Sequence, residues 1–293
     1  MKLKKLLPTF SLPARFKRIA LTTAFAGLVA STASAQLVIS FEESEGFTAG
    51  SAPVGGSTGW QGSGAGGAAF LYVTDSKAYE GSQSVVVRNG ANNSYFARTA
   101  DGNFLYDYGI TSIDFYFSHE PAADPVPNTT IARWDLYYSN SADQLGFRMS
   151  MELRYPQEGN SDFSIYFSSD NNAFFNGANP GSRSLPGSAG MDLTQWNKVS
   201  VWLDHDQSQL YVSVNGITIG GAAVRLHQTN FTADSRINGI RLQTPTISSN
   251  ATGTTYFDYF VAIPEPSTSL MTLAVLGGGW LLRRKGRNAA IRF

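Results

Sequence analysis

From Ile39 onward the apolar residues recur with a period of two, the spacing that puts alternate side chains on one face of a strand. Ile113, Phe115 and Phe117 alternate with Ser112, Asp114 and Tyr116. Phe147, Met149, Met151 and Leu153 alternate with Arg148, Ser150, Glu152 and Arg154, and Phe163, Ile165 and Phe167 alternate with Ser164, Tyr166 and Ser168. Val199, Val201 and Leu203 share one face of a further strand, and Leu210, Val212 and Val214 share one face of the next. That run ends in Asn215-Gly216, a pair that tolerates the positive φ angles of a type I′ turn and so predicts a hairpin into Ile217 to Ile219. The Gly- and Ser-rich pieces Gly55 to Gly67 and Asn171 to Gly190 read as loops, because strands resume after both. Short strands with turn signals and no amphipathic helix predict an all-β fold, an antiparallel two-sheet β-sandwich of the jelly-roll kind.

The two ends break this pattern. Lys2, Lys4, Lys5, Arg15, Lys17 and Arg18 precede an uncharged stretch from Ile19 to Ala30 and the small residues Ala33, Ser34 and Ala35. These are the three parts of a secretory signal peptide, and they predict cleavage after Ala35. At the other end Pro264-Glu265-Pro266 leads into an uncharged run from Ser267 to Leu282, then Arg283, Arg284, Lys285 and Arg287. Sixteen helical residues reach roughly 24 Å, a marginal membrane span. The basic stop would remain cytoplasmic and leave the preceding domain outside, in agreement with a signal peptide. The chain therefore divides into residues 1–35, a single β domain over 36–263, and a tail over 264–293.

Pro264, Glu265 and Pro266, the short apolar helix and the Arg283-Arg284 stop together resemble the PEP-CTERM sorting domain. That resemblance implies recognition by an exosortase, transient anchoring in the inner membrane of a Gram-negative bacterium that makes exopolysaccharide, and delivery to the cell surface or extracellular matrix. The segment Asn288 to Phe293 after the basic cluster is longer than the pattern requires. A second resemblance rests on Trp196-Asn197-Lys198-Val199-Ser200-Val201 and Leu210-Tyr211-Val212-Ser213-Val214-Asn215-Gly216, which look like the central hairpin of laminin-G-like and concanavalin-A-like jelly rolls. Two weaker echoes flank it, Tyr79-Glu80-Gly81-Ser82-Gln83-Ser84-Val85 and Tyr256-Phe257-Asp258-Tyr259-Phe260. Sugar-binding modules, adhesion domains and glycan-cleaving enzymes all belong to that superfamily. Its members often hold a structural calcium through carboxylates near the first and last strands, which implies Ca2+ at Glu42 and Asp258.

Charge and composition then narrow the function. Residues 36 to 263 carry 11 Lys and Arg against 21 Asp and Glu, a net charge of −10, which disfavours nucleic acid as a partner. The chain has no cysteine, so disulfides, thiolate metal sites and cysteine nucleophiles are excluded.

Several catalytic patterns are absent. The strand motif Glu-x-Asp-x-x-Glu, which sets a nucleophile and an acid about 5 Å apart on one face, does not occur. Asp204, His205 and Asp206 fall at a turn and lack the Gly and Glu of a calcium loop. His119-Glu120 opens like a zinc-protease helix but continues with Pro121 and Ala123. Gly62, Gly64 and Gly67 satisfy a dinucleotide fingerprint without the strand and helix that give it meaning. His119, His205 and His227 read as ordinary histidines.

Aromatic side chains suited to stacking on a sugar ring remain: Trp60 after a Gly-rich loop, Trp134, Tyr137 and Tyr138 after a Pro-rich one, and Trp202 with Tyr211 opposite the apolar rows of their strands. The expectation is a non-enzymatic module that binds carbohydrate or exopolysaccharide, with no catalytic residues. The alternatives are a structural or adhesive surface protein with a protein partner, and a divergent glycan-degrading enzyme.

Overall fold

A computed structural model describes residues 37–53, 61–63, 71–88, 95–97, 110–139, 147–169, 175, 181–204, 206–221, 224–226, 235–243 and 253–264. Ala33, Ser34, Ala35, Glu265, Pro266, Arg283, Arg284 and Trp60 lie outside these residues, and so do both targeting segments apart from Pro264. Among the described residues no helix is long and apolar enough to cross a membrane.

Gln36–Glu265 form one compact unit of two antiparallel sheets. The main path of the nine-stranded sheet runs β13 (Ile217–Thr218), β12 (Gln209–Val214), β11 (Asn197–Asp204), β6 (Ile110–Pro121), β16 (Gly253–Pro264), β4 (Ser84–Arg88) and β3 (Leu71–Thr74). Off this path β1 (Leu37–Ile39) pairs with β16, and β14 (Val224–Arg225) pairs with β12. The seven-stranded sheet runs β10 (Gly181–Ser184), β9 (Ser164–Ser169), β8 (Phe147–Arg154), β7 (Thr130–Ser139), β15 (Arg236–Gln243), β5 (Tyr95–Ala97) and β2 (Gln61–Ser63). The one helical element described is a 3-10 turn at Glu43–Glu45, beside which Glu45 accepts the amides of Ser40 and Phe41.

The core lies between the sheets because each strand turns its apolar parity inward. Phe115, Phe117, Val199, Val201, Leu210 and Phe257 from one sheet meet Trp134, Leu136, Met149, Met151, Ile165 and Leu242 from the other, all buried. Phe115 and Trp134 contact edge to face with centroids 5.3 Å apart. The hairpin predicted at Asn215-Gly216 is present, with φ of 51° and 79°, the left-handed values that a type I′ turn requires. Asn215 strengthens it by accepting the Lys198 amide at 2.8 Å.

Two expected loops each contain a short strand. β2 lies within Gly55 to Gly67, and β10 lies within Asn171 to Gly190, pairing with β9. Both strands are rich in Gly and Ser and sit at sheet edges, where ladder hydrogen bonds do not need an apolar pattern.

Candidate functional site

Polar parity turns the other half of each strand away from the core, and in the seven-stranded sheet that outward face is itself buried. Register sets three cross-strand rows there. Gln243, Arg133, Glu152 and Tyr166 form the first, Arg241, Asp135, Ser150 and Ser168 the second, and Tyr137 and Arg148 the third. Asp135 is 0 % exposed, Arg241 4 % and Glu152 8 %, whereas Tyr137, Arg148, Arg154 and Tyr166 are half-buried. The middle of the sheet thus carries a charged floor with a partly accessible rim.

Arg133 ties the floor together. Its Nη1 lies 3.3 Å from Glu152 Oε1, its Nε 3.6 Å from Asp135 Oδ1, and its Nη2 donates to Ser150 Oγ at 3.2 Å. Glu152 Oε2 also accepts from Arg154 Nη2 at 2.7 Å, Arg154 Nε at 3.2 Å and Thr130 Oγ1 at 3.1 Å. Asp135 Oδ2 is gripped by Arg241 Nη2, which donates in turn to Gln243 Oε1 at 3.0 Å. Among the described residues Asp135 Oδ1 accepts no hydrogen bond. Asp135 and Glu152 are diagonal neighbours on adjacent strands, a relation that spaces backbone positions by about 7–8 Å. Both carboxylates receive only donors, so together they form two acceptors in a cationic frame rather than the acid and base pair of glycoside hydrolysis. Stability alone is a poor reason for such a network, since desolvating charges offsets most of their attraction.

The aromatic residues expected to meet a ligand divide by parity. Trp134 and Tyr138 are buried in the core, where burial pushes the Tyr138 hydroxyl well above its usual range, and they offer no face to a ligand. Tyr137 points the other way, 5.8 Å beneath the Arg241 guanidinium. Trp202 and Tyr211 sit opposite each other on the outward face of the nine-stranded sheet, stacked at 5.0 Å and 7°. Tyr79, 40 % exposed, stacks on Tyr116 at 3.6 Å on that same sheet. A hollow of about 350 Å³ lined by Met191, Trp196, Asn197 and Asn215 holds one carboxylate, Asp192, which accepts the amide and hydroxyl of Thr194.

Glu42 and Asp258 are brought together by the turn between β3 and β4. Glu42 Oε1 accepts the amides of Ser82 and Gln83 at 2.8 and 2.9 Å, and Oε2 accepts Ser82 Oγ at 2.7 Å. Asp258 Oδ2 accepts the amides of Tyr79 and Glu80 at 2.7 and 3.3 Å, and Oδ1 accepts the Tyr259 amide at 2.7 Å. The two weaker sequence echoes are therefore physical partners. This donor set does not fit a calcium ion, because all four oxygens already face N–H or O–H protons that a cation would repel. Among the described residues no three His, Cys, Asp or Glu side chains gather as a metal site. Burial pushes Asp258 up to about 7 against the pull of its three amides, and Glu42 adds to the rise. Burial also pushes Glu42 up, but its bonds to Ser82 and Gln83 outweigh that and hold it below its usual value.

Gly81 lets this clamp close. Its φ is +74°, and a Cβ there would stand 2.3 Å from Glu42 Oε1. Gly81→Ala is expected to cost about 3 kcal/mol, combining left-handed strain with displacement of the Glu42 carboxylate, and to lower the melting temperature by roughly 6–12 °C. A cycle with Glu42→Ala checks the mechanism by calorimetry. In the Glu42→Ala background the glycine change should retain only its strain cost, and an undiminished cost would show that the clash is elsewhere.

No known family profile matches the chain, and no curated protein matches it. Solved structures similar to it include the pseudo beta-1,3-glucanase Rv0315 of Mycobacterium tuberculosis (TM-score 0.45, 13% identity, 78% of this chain and 98% of that one). Another is the carbohydrate esterase of Shiga toxin-encoding bacteriophage phi24B (TM-score 0.44, 12% identity, 71% of this chain and 91% of that one). A third is the endo-beta-1,4-glucuronan lyase from Trichoderma reesei (TM-score 0.39, 11% identity, 71% of this chain and 91% of that one).

The expectation of a non-enzyme is corrected by this comparison, in which a glycosidic hydrolase, lyases and the esterase make enzymes the majority. Its physical source is also visible. Asp135 and Glu152 stand on two adjacent strands, so no spacing along a single strand brings them to one face.

Proposed function

We propose that this chain is an exported enzyme acting on polysaccharide, with the outward face of the seven-stranded sheet as its site and Asp135 as its base. The observation that carries the reading is the buried network of Asp135, Glu152, Arg133 and Arg241 on the outward face of that sheet. Asp135 Oδ1 accepts no hydrogen bond among the described residues, with Arg133 Nε 3.6 Å away and the other carboxylate oxygen held by Arg241. Glu152 is the fixed counter-charge, and the guanidinium groups would stabilise negative charge developing on a substrate. Tyr137 and Tyr166 stand half-buried beside the network, each ring faced by an arginine, Arg241 and Arg154.

The full-length chain, kept in mild detergent, is to be incubated with soluble polysaccharides and with the exopolysaccharide of its own host. Falling viscosity with new chain ends is expected. Polymers that are neither shortened nor retained would sink the proposal.

Delivery follows from the ends in this reading: the signal peptide exports the chain, and an exosortase removes the tail after transient anchoring in the inner membrane. Replacing Pro264, Glu265 and Pro266 by alanine is expected to leave the tail attached, read as a heavier mature protein by mass spectrometry. An unchanged mass would refute sorting through this motif. The Glu42 and Asp258 clamp needs no cation, so the melting temperature should be equal in chelator and in calcium. A rise in calcium would restore a structural Ca2+ there.

A further inference from the structure

The outward face of the nine-stranded sheet points away from that network and carries an aromatic cluster of its own. Tyr79 stands in the turn between β3 and β4, which folds back across β16 toward β6. Its amide donates to Asp258 of β16 at 2.7 Å, and its ring lies on Tyr116 of β6, with centroids 3.6 Å and planes 13° apart. Trp196 meets it edge to face at 6.0 Å, and Tyr259 flanks it at 5.7 Å. Fastened in this way, Tyr79 is still 40 % exposed, the one exposed large hydrophobic side chain among the described residues. Trp196 is half-buried and also lines the hollow of about 350 Å³, together with the exposed residues Gln195 and Asp192. From this geometry we infer that Tyr79, Trp196 and the adjoining hollow form a second, non-catalytic site that holds a neutral polysaccharide chain. It rests on the reading that the chain meets polysaccharide, and is independent of which residues cleave it.

Three observations carry this. Tyr79 is held by its amide and by three neighbouring rings, so packing the C–H face of a pyranose on it sacrifices little conformational freedom. The hollow lies at the small end of the range for ligand sites, roughly 300–1,000 Å³, and Gln195 and Asp192 put an amide and a carboxylate there for sugar hydroxyls. Because Trp196 belongs to both the cluster and the hollow, the two form one surface. Charge then selects the polymer. Lys77 is paired with Glu120 at 3.7 Å and Lys198 with Asp114 at 2.6 Å, so the lysines beside the rings already answer to carboxylates. Glu80, next to Tyr79, and Asp192 add negative charge, so an acidic polymer would meet repulsion where a neutral one meets hydrogen-bond partners.

Affinity electrophoresis of the full-length chain in mild detergent tests this, with a soluble β-glucan, a galactomannan and dextran as neutral polymers and polygalacturonate as an acidic one. Retention by a neutral polymer is expected, and Tyr79→Ala should weaken it about tenfold, the contribution of one ring stack. Tyr79→Phe should retain it. Gln195→Ala changes an exposed side chain, should weaken retention several-fold, and carries the test if Tyr79→Ala fails to fold. Undiminished retention in folded Tyr79→Ala and Gln195→Ala chains would overturn the inference, and a parent that still cleaved polysaccharide would leave the enzyme reading standing. Retention that depends on Tyr79, with no cleavage by the parent, would support the holding site and tell against the enzyme reading. Preference for polygalacturonate, or retention by no polymer, would also overturn the inference.

Discussion

Asp135→Asn and Glu152→Gln will each lower cleavage of a susceptible polysaccharide by about a hundredfold or more, the usual contribution of a positioned proton acceptor and its charged partner. The substitutions keep shape and remove charge. Asparagine at 135 presents an oxygen that no longer draws a proton, and glutamine at 152 releases Arg133 and Arg154 from the carboxylate that orients them. Breaking a buried pair also costs stability, on the order of 3–5 kcal/mol when one partner is left uncompensated. Rates must therefore be measured well below each variant's melting temperature, and circular dichroism must confirm the folded sandwich. Full activity in a folded Asp135→Asn chain would make the network purely structural and would move the site elsewhere.

Stability will fall as pH rises from about 4 to about 8, and Asp258 will account for most of the fall. Its carboxyl is pushed up to about 7 in the folded state, mainly because it is withdrawn from water between the turn at Tyr79 and the strand β16. In the unfolded chain the same group titrates near 3.9, so across the interval between these values the native state holds the proton more tightly. That advantage is complete below pH 4 and is lost as pH passes 7, amounting to about 4 kcal/mol, or on the order of 10 °C in melting temperature. Asp258→Asn should melt at a nearly constant temperature over the same range. A parent protein that gains stability toward pH 8 would mean that the three amide donors dominate and that Asp258 is ionised throughout.

Alternation predicted the fold well, because burial on one face is a local rule that each strand obeys independently. Phe147 to Leu153 and Val199 to Leu203 carry their sheet assignment in their own spacing. Trp134, Tyr137 and Tyr138 show the limit of reading residues by type. Adjacent positions must face opposite ways, so Tyr137 and Tyr138 could not share one surface, and Trp134 belongs with Leu136 and Tyr138 inside. The charged floor was hidden for a different reason. Arg148, Ser150, Glu152 and Arg154 read as a solvated face until β7 and β15 lie beside them with Arg133, Asp135 and Arg241. Glu152 and Asp135 are 17 residues apart, and Asp135 and Arg241 are 106 apart. Sequence spacing holds no record of such pairs; strand order and register do. Glu42, Gly81 and Asp258 were half legible, since carboxylates near the first and last strands stand out in the sequence while the glycine turn that joins them through backbone amides does not.

β16 is the last strand of the sandwich in sequence and yet lies inside its sheet, bonded to β6 along one edge and to β4 and then β1 along the other. A chain threaded from its N-terminus through a narrow channel can form β6 to β12 early, but it cannot join that half to β1, β3 and β4 until Gly253 to Pro264 have emerged. Closure of the core therefore waits for the end of passage, and the pairing of Leu37 with Ala262 spans nearly the whole domain. Contacts of such long range fold slowly. Under the export proposed above this delay would be useful, because the strand that completes the fold would be the one that leaves last.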